Sequence, residues 1–85
     1  MVVAFIWNPR GLNGSGKLSR VHDLFRGHCP DLISLSETKK TEFTDLQLRT
    51  LDPSDKYVWN WLPATGTAGG LIVGVNLDKF EVLSW

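Results

Sequence analysis

The chain has a single cysteine, Cys29, and therefore no intramolecular disulfide. Its 85 residues must hold together by packing alone, as one small domain, and an unpaired thiol suits the reducing interior of a cell. It has no excess charge of either sign: nine basic and nine acidic side chains cancel, so no overall positive field gathers DNA or an anionic membrane. Any contact with nucleic acid is therefore local. Long apolar runs are missing too. The opening stretch from Val2 to Trp7 falls far short of the roughly 18 residues that span a bilayer, and no basic segment precedes it. Neither a signal peptide nor a membrane segment is expected. The composition of a disordered chain is absent as well, since 42% hydrophobic and 21% charged residues are the proportions of a packed domain.

What is present reads as alternating strands and helices. Val2 to Trp7 is continuous, apolar and rich in β-branched and aromatic residues, which predicts a strand buried on both faces. Asn8-Pro9 ends it, and Arg10 to Gly16 is loop chemistry. From Lys17 the period becomes helical, with Leu18, Val21 and Phe25 on one face and Leu24 alongside. Gly27 is placed to cap this helix and Pro30 to stop it. Asp31 to Ser36 follows as a strand, so the opening is a βαβ unit with parallel strands and a right-handed crossover.

Thr44-Asp45-Leu46-Gln47 has the spacing of a capping box, flanked by Phe43 and Leu48 as a hydrophobic staple, and predicts a helix from Asp45 to about Leu51. Tyr57, Trp59 and Trp61 alternate with Val58, Asn60 and Leu62 to give a strand with one aromatic face. Such a stripe stacks bases in some proteins, but Lys56 is the one basic residue beside it, and core packing is the expected use. Pro63 to Gly70 is a turn, Leu71 to Asn76 a second buried strand whose glycines do not match a dinucleotide fingerprint, and Phe80 to Trp85 a last strand.

The chemistry concentrates at Glu37, where an apolar strand runs out into Thr38 and Lys39. In open α/β sheets ligands lie beyond the carboxyl ends of strands. Parallel neighbours about 4.8 Å apart would bring Asn8 to the same edge. Magnesium takes oxygen ligands, commonly one or two carboxylates completed by water and phosphate, so Glu37 is the candidate metal ligand and Asn8 a neutral amide to orient it or meet a phosphate oxygen. The plainer alternative is a turn at Asn8 and a solvated strand end at Glu37. A second alternative is a small nucleotide-binding or non-catalytic interaction module, because Gly11 to Lys17 fits G-x-x-x-x-G-K between a strand and a helix. Leu18 stands where that motif needs a hydroxyl, and Ser19 is one residue late. Lys39 and Lys40 are expected in solvent rather than on DNA, and His22, His28 and Cys29 in surface or packing roles.

Trp7-Asn8-Pro9-Arg10-Gly11-Leu12-Asn13 and Pro30-Asp31-Leu32-Ile33-Ser34-Leu35-Ser36-Glu37-Thr38-Lys39 together resemble the start of an endonuclease/exonuclease/phosphatase (DNase I-like) domain. They are most similar to the endonuclease of plant non-LTR (LINE-type) retrotransposons, and the likeness runs from about Val3 to Trp85, the Gly-Gly-containing strand included. Ser36 stands where that family often has Gln, and Pro9 where a small apolar residue is common. The resemblance implies the first part of a four-layer α/β sandwich in the order β-α-β-α-β-β-β. It also implies a Mg2+-dependent phosphodiesterase acting on DNA, with Asn8 and Glu37 as catalytic residues and Glu37 on the metal. The family's later Asp-x-Asn and Asp-His pairs are not among these 85 residues, so the expectation is an N-terminal fragment, inactive alone. A sandwich missing its second sheet leaves apolar surface uncovered, around residues such as Trp59 or Ile72, and self-association is expected.

Overall fold

Strands that alternate and helices that repeat every three or four residues each offer one apolar face, and burying those faces on each other builds this molecule. The computed structural model describes residues 2–66, 68–80 and 82–83. Six elements follow in order: β1 (Ala4–Trp7), α1 (Lys17–Phe25), β2 (Leu32–Ser36), α2 (Asp45–Leu51), β3 (Tyr57–Leu62) and β4 (Leu71–Asn76). They form one sheet in the order β1-β2-β4-β3. β1 and β2 are parallel, with Phe5 opposite Ile33 and Trp7 opposite Leu35, as the βαβ reading requires. β4 runs antiparallel to both of its neighbours and joins β3 as a hairpin partner, Trp59 facing Gly74. In the segment expected to form a last strand, Phe80, Val82 and Leu83 take no strand conformation, while Glu81, Ser84 and Trp85 lie outside the described residues. No helix among the described residues is long and apolar enough to cross a membrane.

The ends of α2 are those the sequence predicts. Thr44 Oγ1 accepts from the Gln47 N–H at 3.2 Å, and Gln47 Oε1 accepts from the Thr44 N–H at 2.9 Å, so two otherwise orphaned donors are satisfied. The end of α1 departs from expectation. Gly27 does not take the left-handed cap conformation, which falls instead on Cys29 at φ 43°. The reason is local: the His28 N–H still reaches the Phe25 carbonyl at 3.0 Å, so the helical turn persists past Gly27 and the chain reverses only just before Pro30.

Both helices pack on one face of the sheet. Val21 and Phe25 of α1 and Leu51 of α2 meet Ile33, Leu35, Tyr57 and Ile72, all buried. An aromatic row runs through this core, with Phe5 and Phe25 centroids 5.9 Å apart, Phe25 and Tyr57 6.1 Å, and Tyr57 and Trp59 5.6 Å. Two expectations are corrected here. β1 is an edge strand and not one buried on both faces, because its alternate residues turn to the side without helices, where Ile6 is 75% exposed. The bare face carries Ile6, Val58, Leu62 and Val73, whereas Ile72 is fully buried and Trp59 packs against the core. The helices have taken the strand face with the larger aromatic side chains and left the aliphatic one open.

Gly74 is required by that packing. A Cβ there would come within 2.5 Å of the Trp59 ring, since the two residues are paired across the strands. Gly74→Ala is expected to cost roughly 1–3 kcal/mol, the usual range for overpacking. Chemical denaturation of the two proteins, read by tryptophan fluorescence, checks this, and equal midpoints would refute it. Tyr57, the one tyrosine, donates its hydroxyl to the Pro30 carbonyl at 2.6 Å. Burial, aided by the nearby Asp52 carboxylate, pushes its pKa up from 10.0 to about 12. The neutral phenol is the form the fold favours, so its contribution to stability is complete below pH 10.0 and is lost as pH rises towards about 12. Spectroscopic titration of tyrosinate is expected to show late ionisation accompanied by unfolding; a midpoint at the ordinary value in the folded protein would contradict it.

Candidate functional site

Two parallel strands that end together present their next residues together. β1 stops at Trp7 and β2 at Ser36, and Asn8 and Glu37 follow. The backbone fixes this edge closely. The Gly11 N–H donates to the Glu37 carbonyl and the Leu12 N–H to the Thr38 carbonyl, each at 2.9 Å, so the loop after β1 is stitched to the loop after β2. A third loop closes on the other side, where the Thr38 N–H reaches the Gly70 carbonyl at 3.2 Å and the Lys39 N–H the Gly69 carbonyl at 2.8 Å. Thr38 is wholly buried between them, and a Cβ on Gly70 would lie 2.3 Å from its Oγ1. Arg10, Glu37 and Lys39 all adopt left-handed backbone, with φ of 57°, 50° and 58°. Non-glycine residues rarely do so, and concentrations of such strain mark functional edges.

Asn8 and Glu37 meet. The Asn8 amide nitrogen donates to Glu37 Oε2, and its oxygen accepts the Arg10 N–H at 3.0 Å. The amide is thereby held at both ends and points its donor at the carboxylate. Both side chains are exposed, so a ligand reaches them without any rearrangement of the core. The chemistry of the donors suits magnesium in part. Glu37 offers a carboxylate oxygen on an accessible edge, with water and phosphate left to complete the shell. Among the described residues no group of three or more His, Cys, Asp or Glu side chains gathers round a common point, so this edge offers at most the single carboxylate of Glu37 and not a cage.

Beside this pair lies a second cluster that the sequence reading did not anticipate. Asn13 donates from Nδ2 to the Lys39 carbonyl at 2.7 Å and accepts from Lys40 Nζ at 3.3 Å. Lys40 is only 8% exposed, with its ammonium 5.3 Å from the Phe43 ring centroid. The expectation that it is solvated is therefore corrected: the amide oxygen and the aromatic face replace water around the charge. The one signal in the sequence was the apolar Phe43 three residues on. Lys39 stays exposed, as expected.

The near P-loop has little to offer a phosphate. Its Gly11 and Leu12 amides already donate to β2's loop, the Lys17 N–H donates to the Gly14 carbonyl at 3.2 Å, and Leu18 packs against the core. His22 is half-buried, its Nδ1 3.0 Å from the Leu51 carbonyl and its ring against Phe25, while His28 and Cys29 are exposed. None of the three joins the Asn8 and Glu37 pair.

No protein-family model matches the chain, and no curated protein matches it by sequence. Among solved structures the chain is similar to an AP endonuclease from Leishmania major, with a TM-score of 0.71 and 23% identity over 92% of this chain. It spans 25% of the length of that protein. At this identity the likeness is one of fold, and it agrees with the mixed α/β sheet and two helices described above. The chain has the fold of a partial DNase I-like α/β unit.

Proposed function

We propose that this chain is the leading piece of a Mg2+-dependent DNA endonuclease domain of LINE-type retrotransposon origin, inactive by itself. One observation carries the reading: the Asn8 amide grips the Glu37 carboxylate at the shared carboxyl end of two parallel strands. The likeness in fold to an AP endonuclease and the resemblance of the two motifs support it.

In this reading Glu37 holds the metal through its carboxylate and Asn8 fixes the rotamer in which it does so. The bound metal would neutralise charge on a phosphodiester and lower the pKa of a water. The left-handed turn at Glu37, tied down by Gly11, keeps the carboxylate outside the core, and Lys39 lies exposed beside it for a phosphate. Cleavage further needs a general base within hydrogen-bond reach of the attacking water and a second group on the metal. Asp-x-Asn and Asp-His pairs would serve, and these 85 residues contain neither. The open aliphatic face of the sheet is where a second sheet of such a sandwich packs. Left uncovered, it promotes association between copies.

Manganese, a paramagnetic stand-in for magnesium, is expected to broaden the NMR signals of Asn8 and Glu37 first. Glu37→Gln should abolish that selectivity, and Asn8→Ala should weaken the binding several-fold. Broadening that survives Glu37→Gln would refute the metal reading. The purified chain is expected not to nick supercoiled plasmid in magnesium; nicking that disappears in Glu37→Ala would overturn the claim of inactivity.

A further inference from the structure

Three consecutive residues of the loop after β1 hold three consecutive carbonyls of the loop after β2. Gly11 and Leu12 do so through backbone N–H groups, on Glu37 and Thr38. The third hold is different in kind. Asn13 reaches the Lys39 carbonyl with its side chain, from Nδ2 at 2.7 Å. An exposed amide making one such bond trades it readily for water. This amide is also pinned from behind, because its Oδ1 accepts from Lys40 Nζ at 3.3 Å. An ammonium has donors and no acceptor, and a carbonyl the reverse, so the oxygen must face Lys40 and the nitrogen Lys39.

Lys40 is a fixed post for that amide. Its own N–H donates to Thr38 Oγ1 at 3.3 Å, and its carbonyl accepts from the Ala64 N–H at 2.9 Å. Among the described residues no carboxylate lies within ion-pair distance of its ammonium, which is left to Asn13 and the Phe43 face. Packing does not require that charge: a methionine stem would lie on Phe43 with no ammonium to desolvate. What the third hold controls is Lys39. The Lys39 N–H donates to the Gly69 carbonyl at 2.8 Å, its carbonyl accepts from Asn13, and its φ is 58°, so the residue is held on both sides in a left-handed turn. From that turn its exposed side chain runs back over the first loop, with Cδ 3.4 Å from where a Cβ of Gly11 would stand.

We propose that Lys40 is a positioning residue: through the Asn13 amide it fixes Lys39, whose ammonium takes a phosphate of a DNA backbone beside Glu37. Lys40 itself touches neither DNA nor metal. The inference rests on the phosphate role proposed for Lys39, and not on the metal at Glu37.

The test is binding of the purified chain to a short DNA duplex without divalent metal, followed by fluorescence anisotropy over a range of salt. Wild type is compared with Lys39→Gln, Asn13→Ala, Lys40→Met and the variant combining the last two. Each phosphate contact adds about 0.9 to the slope of log affinity against log salt. Asn13→Ala removes no charge, so a smaller slope in that variant reports Lys39 leaving the phosphate. The expected result for Lys39→Gln is several-fold weaker binding and a slope smaller by about one. Asn13→Ala and Lys40→Met should match it, and the combined variant should lose nothing further. Wild-type affinity and slope in Asn13→Ala would overturn the proposal. A combined variant weaker than Asn13→Ala alone would overturn it too, because Lys40 would then act by its own charge. A wild type that does not bind would overturn the phosphate role and the proposal with it. Should Lys40→Met fail to fold, NMR of the Lys40 ammonium decides: its protons should exchange faster in Asn13→Ala than in wild type, and unchanged exchange would overturn the coupling. Manganese broadening at Glu37, read on the same samples, tests the metal separately; its absence beside the expected DNA results would strike the metal and support the proposal.

Discussion

The backbone bonds from Gly11 and Leu12 to the carbonyls of Glu37 and Thr38 are the constraint on which the rest of this edge depends. They extend the pairing of β1 and β2 beyond the strands themselves, into loops that would otherwise diverge. Once those loops are joined, Asn8 and Glu37 have little freedom to miss each other, and the buried Thr38 becomes a post against which the Gly69-Gly70 turn closes. The same two bonds consume the amides that a phosphate-binding loop would need. One feature of the backbone thus favours a carboxylate site and disfavours a nucleotide cradle, although the glycine spacing of the loop suits the latter.

Much of this was legible in the residues. The positions of the six elements from β1 to β4 followed from periodicity, and the α2 cap from Thr44 and Gln47, because these signals are local and short-ranged. The meeting of Asn8 and Glu37 was legible because a βαβ unit has parallel strands whose ends must coincide. What escaped were facts set by partners distant in sequence. Which face of the sheet the helices would choose depends on the summed shape of Phe5, Tyr57 and Trp59 against Phe25, and no single strand reveals it. Lys40 looked like a surface residue because burying an ammonium needs an acceptor, and that acceptor, Asn13, comes from a loop far back in the chain. Gly27 failed as a cap because one further hydrogen bond carried the helical turn past it.

A sheet with one face covered and the other bare is an unusual state for a chain of this composition. The hydrophobic fraction is ordinary, so the apolar surface left outside is not a surplus but a share that the helices do not reach. Stability is then uneven: the aromatic row under the helices is dense and continuous, while β1 hangs at the margin with one neighbour and an exposed Ile6. Local opening should begin there, and β1 is also the strand that delivers Asn8.

The left-handed backbone at residue 37 has a further consequence. Folding alone would favour glycine or asparagine at that position: in left-handed backbone any Cβ crowds the following carbonyl oxygen, at about 1–2 kcal/mol, a cost that glycine escapes and asparagine offsets by local hydrogen bonding. Glutamate stands there against that preference, its carboxylate accepting from the Asn8 amide. In a lineage released from that chemistry, substitution at this position would therefore be pulled one way by the backbone itself. Under the metal role proposed for Glu37, the residue at position 37 across related sequences would be a record of use, with glutamate kept where the carboxylate is needed and glycine or asparagine spreading where it is not.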